Sequence, residues 1–171
     1  GESEEWFRYQ MELTYASFLG DNDYYRKLIE KYERDVEAGS VAKTLEEKGV
    51  SGFDSTRNFV VKKVADAKLV MFNENHFYPS HRILLTKLLP YLKTAGFNYL
   101  AMEAITPGEE KSLNKGGSIT VNTGFYTKEQ HFGDLIRMAQ QLGIQLVAYE
   151  SQGKDREIGQ AEKLYANTFK K

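Results

Sequence analysis

The sequence predicts an α/β fold: a parallel sheet in β-α-β-α-β-α order, preceded by an all-helical N-terminal segment. Three observations predict it. From Lys68 onward, short apolar runs of strand length (Leu69-Val70-Met71-Phe72, Tyr99-Leu100-Ala101-Met102 and Leu146-Val147-Ala148-Tyr149) alternate with longer amphipathic stretches, and such alternation implies parallel strands joined by right-handed crossovers. The three runs lead into Glu74, Glu103 and Glu150, so parallel strands would gather three carboxylates on one rim. Before Lys68, apolar residues recur instead at helical spacing. With 171 residues, a single domain is the expectation, with residues 1–66 as a helical segment and 67–171 as the α/β core.

The elements follow in order. Residues 4–18 carry Trp6, Phe7, Leu13 and Ala16 at helical spacing, and Gly20 closes the run. Asp21 or Asn22 caps a second helix with Tyr25, Leu28, Ile29, Tyr32 and Val36 on one face, ending at Gly39. Residues 40–48 form a short third helix stopped by Gly49, and Ser55 caps a fourth with Phe59, Val60 and Val64 inward. Trp6 and the tyrosines of these hairpins take a packing role. After the first strand, residues 79–94 form a helix with Ile83, Leu84, Leu85, Leu88, Leu89 and Leu92 buried, in which Pro90 is expected to kink or shorten the helix. Residues 104–126, rich in Gly, Lys, Asn, Ser and Thr, read either as a hinged lid closing Phe125 and Tyr126 over a ligand or as a mobile insertion. Thr127 caps the next helix, residues 145–150 form the third strand, and residues 155–169 the last helix. Three strands are few for such a sheet, which leaves its completion to further chain or to a partner.

Bulk composition excludes several classes. Balanced charge, 23 basic against 24 acidic residues, argues against a nucleic-acid groove or an anionic membrane surface. The sequence contains no cysteine, so disulfides, thiolate metal sites and cysteine nucleophiles are out. No stretch approaches the ~20 apolar residues of a membrane span. Gly1-Glu2-Ser3-Glu4-Glu5 is not a signal peptide; a leader removed upstream would make the compartment extracytoplasmic.

The chemistry concentrates between Lys68 and Arg82. Glu74 and His76 sit two apart at an expected strand end, where open α/β sheets place ligands. A carboxylate beside an imidazole orients it and fixes its tautomer, as a general base requires; with Glu103 the same pair could ligate a divalent metal. The alternative is a polar cluster that only satisfies loop backbone. His81 and Arg82 fall in the first turn of a helix, where positive charge opposes the macrodipole. They therefore imply an acidic partner, either Glu74 and Glu103 or an anionic group on a ligand.

Phe72-Asn73-Glu74-Asn75-His76, with Arg82 close behind, resembles the Gly-Glu-x-His signature of the erythromycin esterase/ChaN/TIKI-like superfamily. Ala101-Met102-Glu103 resembles that group's second strand, and Asp155-Arg156-Glu157 with Gln160-Ala161-Glu162 its arginine-containing helix. The resemblance spans residues 68–171. Asn73 stands in place of the glycine, as the residue next best able to take a left-handed turn, and the family's later histidine-bearing strand has no counterpart. The resemblance implies an α/β fold and a cleft in which Glu74, His76 and Glu103 are catalytic. Arg82 would be a partner or substrate contact.

Three functions follow as expectations. The first is hydrolysis of an ester or amide bond in a small-molecule or peptide substrate, with or without a divalent metal: His76 activates water, Glu74 and Glu103 orient it, and His81, Arg82, Tyr126 and Glu150 line the substrate. The second is haem binding of the uptake kind in the same cleft, with a histidine or with Tyr78 or Tyr126 as axial ligand. The third is a non-catalytic interaction domain working through its N-terminal helices. An oligomer is left open.

Overall fold

The computed structural model describes residues 2–32 and 38–169 and divides into two compact units, Gly1–Pro79 and Ser80–Lys171. The first is helical, with α1 (Glu2–Leu19), α2 (Asn22–Tyr32), α3 (Ala38–Glu47) and α4 (Gly52–Val64). Gly20, at φ 69°, turns the chain out of α1, a left-handed conformation that glycine takes without Cβ strain. Asp21 Oδ1 then accepts the Tyr24 amide at 3.0 Å and caps α2. The expected continuation of this helix through Val36 to Gly39 begins in residues 33–37, outside the described residues. Tyr9, Leu13 and Ala16, on one face of α1, bury against Leu28 of α2 and against Phe77. Tyr9 meets Tyr32 in a tilted contact with ring centroids 4.4 Å apart, and Trp6, though half exposed, meets Phe77 edge-on at 6.4 Å.

The α/β sheet expected from the sequence is not what forms. Of the described residues 60% are helical, and the one sheet among them has two strands. Leu69-Val70-Met71-Phe72, expected as the first strand, has no regular structure, and Leu69, Met71 and Phe72 are exposed. The β-preference of such a run reflects packing on a pleated surface rather than the backbone itself, and the described elements of its own unit are all helices, which offer no strand edge. Asn73 likewise takes no left-handed turn, since no described non-glycine residue has positive φ.

The second unit keeps the remaining grammar. α5 (Pro79–Thr94) is followed by β1 (Tyr99–Met102), the short α6 (Glu110–Leu113), a 3-10 turn at Tyr126–Lys128, α7 (Gln130–Gln141), β2 (Gln145–Ala148) and α8 (Arg156–Thr168). Leu85, Leu88, Leu89 and Leu92 form the buried face of α5, which runs on through Pro90 to Thr94 rather than ending there. β1 and β2 pair in parallel, Tyr99 with Gln145 through Met102 with Ala148, so both strands end on the same side. α7 is strongly one-sided, burying Phe132, Leu135, Ile136 and Ala139. Glu129, rather than Thr127, caps it, accepting the His131 and Phe132 amides.

Residues 104–126 are packed and internally bonded rather than structureless. Ile105, Leu113 and Thr123 are buried, and the Thr106 amide donates to the Thr123 carbonyl at 2.8 Å, tying the two ends of the loop together. The Asn114 side chain brackets Leu146, accepting from its N–H at 2.8 Å and donating to its C=O at 2.9 Å. It thereby occupies the outer edge of β2 as another strand would. Gln140 reaches across to the Leu113 and Gly117 carbonyls.

Candidate functional site

The candidate residues fall into groups, each within the unit that carries it. The first group is Glu74 and His76, with His76 Nδ1 2.7 Å from Glu74 Oε2 and side chains 26% and 17% exposed. The segment that carries them is pinned by its neighbour: Phe77 is buried in the aromatic cluster of α1 and α2, and its carbonyl accepts the Tyr25 hydroxyl at 2.7 Å. The Tyr78 amide closes a turn onto the Asn75 carbonyl at 2.9 Å. The pair thus sits on an anchored turn, not at the end of a strand. With the proton on Nδ1 donated to the carboxylate, the basic lone pair falls on Nε2.

Glu103 and Glu150 form the second group, at the carboxyl ends of β1 and β2. Arg156, the first residue of α8, lies between them. Its Nη2 donates to Glu103 Oε1 and, at 2.7 Å, to Glu150 Oε2, while its Nε donates to Glu150 Oε1 at 2.9 Å. Glu150 also accepts from the Ser151 amide at 2.7 Å, and its backbone carbonyl accepts from Lys163. The Arg156 guanidinium holds the Glu150 carboxyl well below its usual range, at about 2, against an opposing push from partial burial; the Ser151 amide and Glu103 assist. The Glu150 and Glu103 hydrogen bonds in turn raise Arg156 above an already high value. Glu150 is therefore ionised at neutral pH and has no proton to give as a general acid.

Arg82 is fully buried. Its Nε donates to Glu129 Oε2 at 2.9 Å, with side chains 0% and 1% exposed, and its guanidinium lies 4.3 Å from the centroid of the Phe132 ring. Within its own unit, the acidic partner of Arg82 in the first turn of α5 is thus Glu129, 47 residues on. His81 is exposed in the same turn. Tyr126 is half-buried in the 3-10 turn, edge-on to Phe125 at 5.1 Å. A cavity of about 270 Å³ opens along β2, lined among others by Tyr99, Lys111, Asn114, Gln145 and Asn167; none of the candidate residues lines it.

The donor sets do not fit a divalent metal. Among the described residues no three His, Asp or Glu side chains converge as metal ligands, and a guanidinium that pairs with both carboxylates already lies between Glu103 and Glu150. The tyrosines considered for haem, Tyr78 and Tyr126, are both engaged in ring contacts with Phe77 and Phe125. No helix among the described residues is long and apolar enough to cross a membrane. Comparison with protein-family models, curated proteins and solved structures gave no significant match.

Sequence reasoning missed Glu129, Asn114 and the bridging role of Arg156. Glu129 carried a weak signal: a negative charge just ahead of the amphipathic run of α7 suits a helix N-terminus, although Glu is not among the preferred capping residues. Asn114 carried none, because bracketing a strand edge depends on where a loop folds back.

Proposed function

We propose that the protein hydrolyses an ester or amide bond, with His76 as general base and Glu74 as the group that orients it. The 2.7 Å contact between His76 Nδ1 and Glu74 carries the reading, supported by the anchoring of the turn through Phe77. His76 Nε2 takes a proton from water as the water oxygen attacks the carbonyl carbon. The imidazolium so formed is stabilised by Glu74 and returns the proton to the departing alcohol or amine as the carbonyl re-forms. A positioned base of this kind contributes roughly 10²–10⁴ in rate. Glu103 and Glu150 have no part in the proton transfers, because Arg156 engages both.

The test is a panel of p-nitrophenyl esters and fluorogenic peptides, assayed with the wild type, His76→Ala and Glu74→Gln. The expected result is turnover by the wild type, a fall of about 10²-fold or more in kcat for His76→Ala, and a smaller fall for Glu74→Gln. Turnover undiminished in His76→Ala would remove the residue from the mechanism.

A further inference from the structure

α8 is folded onto its unit with its polar face inward. The half-buried residues are Arg156, Gly159, Gln160, Lys163, Leu164, Asn167 and Thr168, spaced as one helical face. The opposite face carries Ile158, Tyr165 and Phe169, which are 59%, 56% and 51% exposed. No residue of α8 is buried. An ordinary surface helix is held by its apolar stripe; here the inward face offers one apolar side chain of any size, Leu164, and the holding contacts are polar. Arg156 reaches Glu103 and Glu150, Lys163 reaches the Glu150 carbonyl, and Gln160 approaches Glu150 at 3.4 Å.

We infer that α8 is a detachable strap, clasped to the ends of β1 and β2 by Arg156 and free to leave without unfolding the rest of its unit. Undocking would strip little apolar surface from α8 itself, because its large apolar residues are already outside. The helix has 13 residues, a length at which an isolated helix in water is marginal, so a released α8 frays and loses amide protection. Release also frees Glu103 and Glu150 from their shared cation, leaving two carboxylates open at the strand ends. The clasp is partly exposed, with the Arg156 side chain at 43%, and such contacts weaken as salt screens them. The inference is independent of the Glu74–His76 reading and stands or falls on different measurements.

Hydrogen exchange on the full chain tests it, comparing amides of α8 with those of α7. In the wild type at about 1 M rather than 0.05 M NaCl, and in Arg156→Ala at low salt, α8 amides are expected to exchange about tenfold faster or more, with α7 unchanged within about twofold. Tyr165→Ala, which removes an outward ring, is expected to make α8 exchange no faster. The salt arm needs no substitution and so does not depend on a variant folding. Failure of either the salt or the Arg156→Ala arm, or acceleration of α7 in step with α8, overturns the strap.

Discussion

Replacing Arg82 tests whether this cation is part of the framework or of a ligand surface. Its guanidinium and the Glu129 carboxylate are both out of water, and removing one member of such a pair leaves the other charged and buried, which costs about 3–5 kcal/mol. Two features moderate the loss in Arg82→Met. Glu129 keeps the His131 and Phe132 amides as donors, and the methionine stem still covers part of the Phe132 ring. We expect about 3 kcal/mol, read from urea unfolding followed by far-ultraviolet circular dichroism. In Arg82→Met/Glu129→Gln the buried charge is gone while the glutamine oxygen still caps α7, so the double variant should recover about 2 kcal/mol relative to the single one. A loss below about 0.5 kcal/mol for Arg82→Met, typical of a surface position, would refute the buried pair.

Four further outcomes are expected. Phe77→Ala should destabilise the first unit by about 3 kcal/mol, since it removes a buried ring from the aromatic cluster, and thermal unfolding measures it. Glu150 has a depressed folded pKa, so its contribution is fully present above the unfolded value near 4.5 and is lost as pH falls toward about 2. After screening of the exposed clasp this amounts to about 1–2 kcal/mol, and a pH titration of stability should lose that increment in Glu150→Gln. Gly124→Ala should destabilise the second unit, because a Cβ there collides with the Ala104 carbonyl; denaturant unfolding reads it. Trypsin should cut slowly between Lys111 and Lys115, with or without substrate, because Leu113 is buried and Asn114 is bonded to β2.

Local patterns were legible where a short stretch decides its own structure. α1, α5 and α7 follow from apolar spacing, and β1 and β2 from apolar runs flanked by turn residues, with Gly96 before the first and Gly143 before the second. The 69–72 run was not legible, because a strand requires a partner backbone and the sequence of the run is silent on whether one is in reach. The packing of residues 104–126 was not legible for a related reason: the hydrogen bonds of Asn114 and Gln140 to distant backbone have no signature in composition. In the candidate site, the Glu74–His76 contact agrees with the two-residue spacing, but the strand end expected to carry the pair does not form. The partners of Arg82 and of Glu150 lie 47 and 6 residues away; the first is a tertiary contact, and the second depends on how α8 folds back.

In the proposed reaction His76, oriented by Glu74, removes a proton from water. The most direct test of this is chemical rescue: hydrolysis of a p-nitrophenyl ester by His76→Ala, with and without added imidazole, against the wild type and against Tyr165→Ala as an unrelated surface change. The expected result is a rate reduced by about 10²-fold or more in His76→Ala, restored in part by imidazole in a saturable manner, with Tyr165→Ala unaffected. A His76→Ala protein that is folded and turns over at the wild-type rate, or whose lost rate imidazole does not raise above its effect on the wild type, would contradict the account.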